Sequence, residues 1–295
     1  DPVKIRASFG AALYPQDAFT VDNLMKFSSH TMFEVKNSNR GALMRFSAVT
    51  YQKKANLFDR QEKLNQLIDE KHIRFVFQPI FRLEDRSLYG YEALMRPCTE
   101  DFSGPLDILA LAEAQSKLSQ IETVTFELIF AWIAGNLPKL KDLRIFFNTI
   151  STQYMTRDKL LGIHPQYEEI CKYIVFEVLE NTADSETFLR EINAFRQQMD
   201  VKVAIDDYGC GYSNDLRLIS VSPNIVKIDR FFIKEIHNDH DRQQLLQKII
   251  LYCKAKGIET LAEGVETLEE LETSVQLGFT YAQGYYLGMP GEFPA

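Results

Sequence analysis

The chain has 295 residues, of which 45% are hydrophobic and 25% are charged, the composition of an ordinary globular protein. Its net charge of −8 argues against binding to bulk nucleic acid, whose phosphate backbone selects basic surfaces, although a small phosphorylated ligand needs only a few well-placed cations. No apolar run approaches the roughly 18 residues that a membrane helix needs, so we expect no membrane segment in these residues.

Cysteine usage and the first residue bear on the cellular context. Four cysteines are scattered without the Cys-x-x-Cys spacing of a zinc site, which predicts reduced thiols and a cytoplasmic location. The chain begins with Asp1 rather than Met. We therefore expect an excised fragment, such as the cytoplasmic part of a larger sensor protein.

Residues 1–50 predict a small strand–helix–strand unit. Residues 4–14 are typical of a strand, Thr20 is a candidate N-cap for a helix, and Ala42–Phe46 would return as a strand. So short a unit cannot bury a self-sufficient core. Residues 51–71 then predict an amphipathic linker helix, which either packs on its own domain or pairs with a second copy of the chain in a homodimer.

From residue 72 to residue 295 the chain alternates between strand-like and helix-like segments. Ile121–Leu137 and Asp241–Lys256 are examples of the helical stretches. The predicted strands are 73–83, 87–97, 144–150, 174–180, 202–208, 225–230, 258–265 and 281–288. The first two are separated by three residues and must form an antiparallel hairpin, whereas helical crossovers allow the others to be parallel. This order predicts an α/β fold, a (β/α)₈ barrel of the TIM type with an antiparallel first strand.

The stretch Asp206-Asp207-Tyr208-Gly209-Cys210-Gly211 follows a buried strand and carries two adjacent carboxylates. Successive strand residues point to opposite faces, so we expect the strand to end at these aspartates. Two such carboxylates repel each other unless a cation lies between them, and both are ligands for hard divalent metals. A capped turn with solvated acids is the alternative for this stretch taken alone.

Polar residues recur at the ends of the other predicted strands, where the active sites of such barrels lie. An acid within an apolar strand is costly unless it is paired or bound to metal. Lys227 is the cation among them, and it is suited to orienting a water or neutralising an oxyanion. The recurring oxygen ligands are Glu92, Asn148, Glu177, Asp206, Asp207 and Glu263.

Taken together, these motifs resemble those of the EAL-domain phosphodiesterases. The resemblance runs from about residue 72 to residue 291 and keeps every motif in order. It rests on Glu92-Ala93-Leu94 with Arg96, Asn148, Glu177, Asp206-Asp207-Tyr208-Gly209-x-Gly211, Lys227-Ile228-Asp229, Glu263-Gly264-Val265-Glu266-Thr267 and Gln283-Gly284-Tyr285. Residues 3–47 more loosely resemble the C-terminal end of a GGDEF domain, in which a strand with the pattern of Ser8, Gly10, Ala12, Tyr14 and Pro15 precedes such a helix. That family's GGDEF motif and phosphate loop are absent from the sequence, so we expect no nucleotide synthesis.

The resemblance implies a function and a set of roles. Active members hydrolyse cyclic di-GMP to the linear dinucleotide pGpG with two Mg²⁺ or Mn²⁺ ions. By resemblance, Glu92, Asn148, Glu177 and Asp206 would hold one ion, and Asp206, Asp207 and Glu263 the second. Lys227 would contact the attacking water, with Glu92 and Glu263 as its catalytic partners. The substrate side would consist of Gln78, Leu94, Arg96, Asp229, Glu266 and Gln283.

Two rival functions remain open at this point. The first is a non-catalytic cyclic di-GMP receptor that relays ligand binding to an attached module. The second is an unrelated Mg²⁺-dependent barrel enzyme that acts on small carbonyl acids. We further expect Ca²⁺ to be inhibitory, because its longer bonds and larger coordination number suit the proposed two-metal geometry poorly.

Overall fold

The structure is a computed structural model that describes residues 7–38, 41–149, 167–179, 196, 201–209 and 215–294. Its contacts divide the chain into two compact units, Asp1–Asn65 and Gln66–Ala295. In the described ranges, the helices are too short or too polar to cross a membrane.

The first unit contains a two-stranded parallel sheet and a helix. Strand β1 (Phe9–Ala11) pairs with β2 (Leu43–Arg45), and α1 (Val21–Ser38) connects them. The Thr20 hydroxyl accepts a hydrogen bond from the Asn23 amide, as the predicted N-cap requires. The strand predicted over residues 4–14 was too long on its carboxyl side, because a turn in which the Asp17 carboxylate accepts from the Leu13 amide follows β1.

Helix α2 (Ala48–Asp69) covers most of the predicted linker helix and leads into a closed eight-stranded barrel. The barrel strands are β3 (Ile73–Arg82), β4 (Leu88–Pro97), β5 (Arg144–Asn148), β6 (Ile174–Leu179), β7 (Lys202–Tyr208), β8 (Ile225–Ile228), β9 (Glu259–Ala262) and β10 (Tyr281–Ala282). Only β3 runs antiparallel to both neighbours, β4 and β10, and the other described pairings are parallel. The predicted fold class is therefore confirmed.

Several predicted strands end earlier than expected, and for β8, β9 and β10 the structure gives a local reason. At the end of β8, Asp229 leaves the strand and its carboxylate caps the next helix by accepting from the Phe231 amide. At the end of β9, Gly264 adopts a left-handed conformation with φ of 67°, which a regular strand does not contain. After β10, the Leu287 and Gly288 amides both donate to the Gly284 carbonyl, which turns the chain away from the sheet.

In the described residues, helices alternate with most of the parallel strands. In chain order, the helices of the described residues after α2 are α3 (Pro105–Ala114), α4 (Leu118–Leu140), α5 (Tyr167–Cys171), α6 (Asp215–Val221), α7 (Arg230–Ile233), α8 (His240–Ala255) and α9 (Leu268–Leu277). The predicted helices Ile121–Leu137 and Asp241–Lys256 correspond to α4 and α8. A short 3₁₀ helix, Ile236–Asn238, lies between α7 and α8. The helices bury apolar side chains against the outer faces of the strands, and this burial is the main stabilising contribution to such a fold.

The barrel interior is filled by one cluster of buried side chains with one member from each strand. Because every strand contributes, this layer packs the barrel centre rather than leaving a pore. Its members are Ile80, Tyr89, Phe146, Val175, Ala204, Ile225, Leu261 and Tyr281.

A polar network closes the barrel at the amino-terminal ends of its parallel strands. Tyr281 is fully buried, its ring stacks on that of Tyr89 with centroids 4.0 Å apart, and its hydroxyl donates to Glu259 Oε1 at 2.6 Å. The ammonium of Lys202 donates to Glu259 Oε2 at 3.0 Å and to the Tyr89 hydroxyl at 3.1 Å. The carboxylate of Glu259 is thus satisfied on both oxygens.

This network generates a stability prediction. We expect Tyr281→Phe to lower the free energy of unfolding by about 1–2 kcal/mol, because a buried hydrogen bond to a charged group is lost. Denaturant unfolding measures the change. Tyr252→Phe, at a half-buried tyrosine on α8, is the control and should change stability little. An unchanged midpoint for Tyr281→Phe would show that the hydroxyl contributes nothing to the fold.

Candidate active site at the carboxyl ends of the strands

A second layer of side chains lies directly beyond the apolar layer of the barrel interior, and it is polar. On each strand from β5 to β8, and directly after β9 and β10, the residue two positions beyond the interior residue carries a polar group. Because side chains alternate along a strand, a step of two keeps the side chain on the inner face. These residues are Asn148, Glu177, Asp206, Lys227, Glu263 and Gln283.

Lys227 lies at the centre of this layer with its side chain only 1% exposed. Its ammonium contacts one carboxylate oxygen from each of four other strands or strand ends. The distances from Lys227 Nζ are 2.5 Å to Glu177, 2.8 Å to Asp206, 2.9 Å to Glu263 and 3.7 Å to Glu92. The structure thus places the predicted catalytic lysine among four of the predicted metal ligands.

Carboxamides bind the carboxylate of Glu92 on both sides. Asn148 donates to Glu92 Oε1 at 3.3 Å, and Gln283 donates to Glu92 Oε2 at 2.6 Å. Gln283 also donates to Gln78 Oε1 at 3.0 Å, and Gln78 in turn donates to the carbonyl of Gly288 at 3.1 Å. This chain of hydrogen bonds fixes the orientation of Glu92 from β3, β5 and the segment after β10.

The two adjacent aspartates lie within a β-bulge. β7 runs to Tyr208, as the predicted strand 202–208 has it, so the strand does not end at Asp206 and Asp207 as the two adjacent carboxylates led us to expect. Between Ile205 and Tyr208, β7 advances by three residues, while the paired segment of β8 advances by only two, from Val226 to Ile228. Asp207, within this bulge, adopts a φ of 54°. The extra residue lets both carboxylates reach the same site although strand side chains alternate.

The donor set fits divalent metal. One oxygen each from Asp206, Asp207 and Glu263 lie within 4.8 Å of one another, as predicted for the second ion. Glu177 is fully buried, and its Oε2 atom has no hydrogen-bond partner among the described residues. A buried carboxylate oxygen without a donor is costly, and hard cations such as Mg²⁺, Mn²⁺ and Ca²⁺ prefer such oxygen ligands.

The same crowding shifts the pKa values of the cluster. Burial raises the pKa of Glu177 well above its usual value, repulsion from Glu92 adds to the rise, and Lys227 offsets only part of it. Burial likewise raises the pKa of Glu263. For Lys227, burial alone would lower the pKa, but the carboxylates of Asp206, Glu177 and Glu263 outweigh it and hold the pKa well above its usual value. The lysine is therefore an ammonium at neutral pH.

A cleft of about 190 Å³ opens beside the carboxylates. Three of the six predicted substrate-side residues line it, namely Gln78, Glu266 and Gln283. Glu92, which pairs with Gln78 across β3 and β4, lines the cleft too. The remaining three do not line the cleft. Leu94 and Arg96 follow Glu92 on β4, where the Arg96 guanidinium donates to the Met95 carbonyl, and Asp229 caps α7.

The sequence reasoning missed Arg230 and Glu270. Arg230 lines the cleft and pairs with Glu266 at 2.8 Å, and its stem lies so close to Gly264 that a Cβ there would meet Arg230 Cγ at 2.5 Å. Buried Glu270 accepts hydrogen bonds from the amides of Glu266 and Thr267, completing a capping box that holds the Glu263–Thr267 loop. The Thr-x-x-Glu spacing was the available signal for Glu270. Gly211 of the Asp206–Gly211 motif lies outside the described residues.

Comparison with protein families gives one match, to the EAL domain, over residues 61–290. The match covers more than three quarters of the chain and contains every residue of the polar layer. The chain belongs to the EAL domain family.

Several relatives of this EAL chain have been characterised or solved. The bifunctional diguanylate cyclase/cyclic di-GMP phosphodiesterase MucR of Pseudomonas aeruginosa is 28% identical over 98% of this chain and 43% of its own length. The solved PaMucR phosphodiesterase in complex with c-di-GMP is 26% identical over 79% of this chain and 98% of that chain, with a TM-score of 0.67.

The Klebsiella pneumoniae protein BlrP1, solved with manganese and cyclic di-GMP, is 25% identical over 75% of this chain and 56% of that chain, with a TM-score of 0.66. A calcium complex of BlrP1 with cyclic di-GMP matches with a TM-score of 0.64. The EAL chain spans less than half the length of the curated relatives it matches.

The bulge at Asp207 generates a prediction about pH. Burial of part of the side chain, with repulsion from Asp206, raises the pKa of Asp207 to about 6, against an ordinary value of about 3.9. Between these two values the folded protein binds more protons at this position than the unfolded chain, so the contribution of Asp207 to the free energy of unfolding falls as the pH rises. In EDTA, Asp207→Asn should therefore be more stable than wild type by about 1 kcal/mol at pH 8 and should differ little from it at pH 4. The stability difference is smaller than the pKa shift alone would give, because the side chain is exposed and solvent screens its charge.

Thermal unfolding in EDTA at both pH values measures this difference. Asparagine also tolerates a positive φ, so the bulge should survive the change. Asp142→Asn, at an exposed position outside the site, is the control and should have little effect at either pH. A destabilised Asp207→Asn protein at pH 8 would mean that Asp207 stabilises the metal-free fold.

Proposed function

We propose that this EAL chain is a metal-dependent phosphodiesterase that hydrolyses cyclic di-GMP to linear pGpG, in bacterial second-messenger signalling. The observation that carries the proposal is the convergence of four of the five carboxylates among the predicted metal ligands on Lys227. Relatives that match most of the chain are named cyclic di-GMP phosphodiesterases, and PaMucR has been solved with c-di-GMP.

The proposed cofactors are two ions of Mg²⁺ or Mn²⁺. Glu92, Asn148, Glu177 and Asp206 would hold one ion, and Asp206, Asp207 and Glu263 the other. When bound, such a pair supplies a nucleophilic water at neutral pH and neutralises charge on the phosphoryl group in the transition state. The manganese complex of BlrP1 supports this choice of metal class.

The side chains of this chain contribute positioning and charge. The Lys227 ammonium, held in place by Glu92 and Glu263, would donate a hydrogen bond to the attacking water and orient it toward phosphorus. Glu92 is itself oriented by Asn148 and Gln283, so the geometry exists before the substrate binds. Such preorganisation avoids reorganisation at the moment of reaction.

The substrate side is proposed to consist of Gln78, Leu94, Arg96, Asp229, Glu266 and Gln283. The cleft beside the carboxylates supports this role for Gln78, Glu266 and Gln283. Arg96 offers a planar guanidinium suited to a phosphate. Leu94 and Asp229 rest on the family motif alone.

A receptor without catalysis is the alternative function. A receptor needs ligand contacts but no charged metal ligands. In this chain, the proposed metal ligands comprise five carboxyl groups and one carboxamide. Four of those carboxylates are buried or nearly so around one ammonium. Retaining so many like charges in a barrel interior is costly unless they bind a cation. This observation favours the enzyme.

For residues 1–50 we propose the C-terminal remnant of a GGDEF-like domain, followed by the linker helix 51–71 and the barrel 72–295. The parallel pairing of β1 and β2 around α1 is consistent with this, and MucR, a bifunctional protein by name, aligns with 98% of the chain. A cytoplasmic location, a homodimer and the lack of affinity for bulk nucleic acid stay predictions.

Glu92→Gln tests the proposed activity. The replacement is nearly isosteric and keeps a hydrogen-bonding oxygen, but it removes one charged metal ligand. We expect hydrolysis of cyclic di-GMP in Mg²⁺ to fall at least about a hundredfold, with an unchanged circular dichroism spectrum, because metal charge stabilisation contributes several kcal/mol to the transition state. Chromatography of the nucleotide products measures the rate.

The control is Glu272→Gln, at an exposed position on α9, which should retain full activity. Wild-type turnover by Glu92→Gln would remove Glu92 from the site. If the wild-type protein binds cyclic di-GMP but yields no pGpG in either Mg²⁺ or Mn²⁺, the receptor is the correct function.

Replacing Mg²⁺ by Ca²⁺ separates binding from cleavage. Ca²⁺ takes oxygen ligands at about 2.3–2.6 Å, longer than the roughly 2.0–2.1 Å of Mg²⁺, so it should occupy the carboxylates yet activate water poorly. We expect cyclic di-GMP to bind in Ca²⁺, as the calcium complex of BlrP1 suggests for that relative, with no pGpG formed. Adding excess Mg²⁺ to the same sample should start cleavage, whereas equal rates in the two metals would contradict the two-metal proposal.

A further inference from the structure

Lys227 has more carboxylate contacts than a role in orienting one water requires. Its ammonium lies within 3.0 Å of Glu177, Asp206 and Glu263 and 3.7 Å from Glu92, and its side chain is 1% exposed. Among the residues that the structure describes, no other lysine, arginine or histidine forms an ion pair with these four carboxylates. Lys227 is therefore their shared counter-charge.

The carboxylates that surround Lys227 are the proposed metal ligands, so lysine and metal interact with the same oxygens. In a buried site, charges a few Å apart interact strongly, because little water screens them. A divalent cation that binds there must approach a fixed ammonium and share its ligands with it. The lysine thus opposes metal binding electrostatically, however it acts during catalysis.

We propose that Lys227 is a built-in counter-cation that stabilises the metal-free barrel and lowers the affinity of the site for divalent metal. The inference rests on the proposed function, since it takes the same carboxylates as ligands, but it concerns the protein before substrate binds. It predicts that a barrel without Lys227 depends on metal for its stability and binds that metal more tightly.

The cost of removing Lys227 follows from burial. Four largely buried carboxylates repel one another, and removing the cation of a buried ion pair leaves uncompensated charge. The partly exposed pair of Lys202 and Glu259, at the opposite end of the barrel, provides the contrast. There one lysine faces one carboxylate, which also accepts a hydrogen bond from Tyr281.

The experiment compares four proteins of full length: wild type, Lys227→Met, Lys227→Arg and the control Lys202→Met. Methionine keeps the length and apolar stem of lysine without its charge, and arginine keeps the charge. The melting temperature is measured at pH 8 in EDTA and in saturating Mn²⁺, and the affinity for Mn²⁺ is measured by calorimetry without nucleotide. At pH 8 protons compete least with the metal for the carboxylates.

For Lys227→Met we expect a melting temperature in EDTA roughly 10 °C below that of wild type. We also expect a larger rise on adding Mn²⁺ than wild type shows, and Mn²⁺ affinity tighter by about tenfold or more. Lys227→Arg should show no gain in affinity, because the charge remains. Lys202→Met should leave Mn²⁺ affinity unchanged, although it loses some stability.

Equal or weaker Mn²⁺ binding by Lys227→Met would overturn the inference, and so would a gain in affinity for Lys227→Arg. If Lys227→Met fails to fold in EDTA but folds when Mn²⁺ is present, the metal has replaced the lysine as the stabilising cation, which supports the inference. If Lys227→Met does not fold even in excess Mn²⁺, Lys227→Gln is tested as a fifth protein. If neither variant folds in excess Mn²⁺, metal cannot replace the lysine and the inference is wrong.

A parallel assay of the wild-type protein separates this inference from the proposed function. If wild type produces pGpG while Lys227→Met shows no gain in Mn²⁺ affinity, the phosphodiesterase stands and only the counter-cation role fails. If Mn²⁺ binds as expected, tighter in Lys227→Met, but wild type produces no pGpG, the counter-cation role stands and the enzyme proposal fails. Absence of Mn²⁺ binding in both proteins would overturn the counter-cation role.

Discussion

The barrel of this EAL chain depends on one electrostatic constraint, the neutralisation of several carboxylates held inside a closed sheet. Glu92, Glu177, Asp206 and Glu263 come from four different strands or strand ends and meet at one ammonium. Their repulsion would open the carboxyl-terminal end of the barrel if the layer beneath did not hold the strands together. That layer is apolar and takes one residue from every strand, so its packing compensates for the charge above it.

The bulge in β7 shows how the backbone adapts to the chemistry. A regular strand would direct Asp206 and Asp207 to opposite faces, and only one could reach the site. The extra residue and the φ of 54° at Asp207 turn the second carboxylate toward Glu263, within the 4.8 Å spread of the three candidate ligand atoms. A left-handed conformation at a residue other than glycine is unfavourable, and such strain is typical of functional sites.

Most of the architecture could be predicted from the sequence, because strand alternation and polar strand ends are local signals. The strand 202–208 agrees with β7 at both ends, and the antiparallel position of β3 followed from the three residues between it and β4. The early ends of β8 and β9 could not be predicted, since they depend on the Asp229 cap and on the close approach of Arg230 to Gly264. Likewise, the sequence placed Lys227 at a strand end but contained no signal for its four carboxylate contacts, which depend on how far each side chain reaches across the barrel.

The two ends of the barrel use the same residue types for different purposes, and the ratio of charges explains the difference. At the amino-terminal end, Lys202 meets Glu259, and the second carboxylate oxygen accepts from Tyr281, so every charge is matched and the network is structural. At the carboxyl-terminal end, one lysine meets four carboxylates, and Glu177 keeps an oxygen without a hydrogen-bond partner among the described residues. An excess of buried negative charge that the protein does not neutralise by itself is a binding site for cations. The catalytic proposal therefore follows from the imbalance around Lys227 rather than from the presence of acidic residues as such.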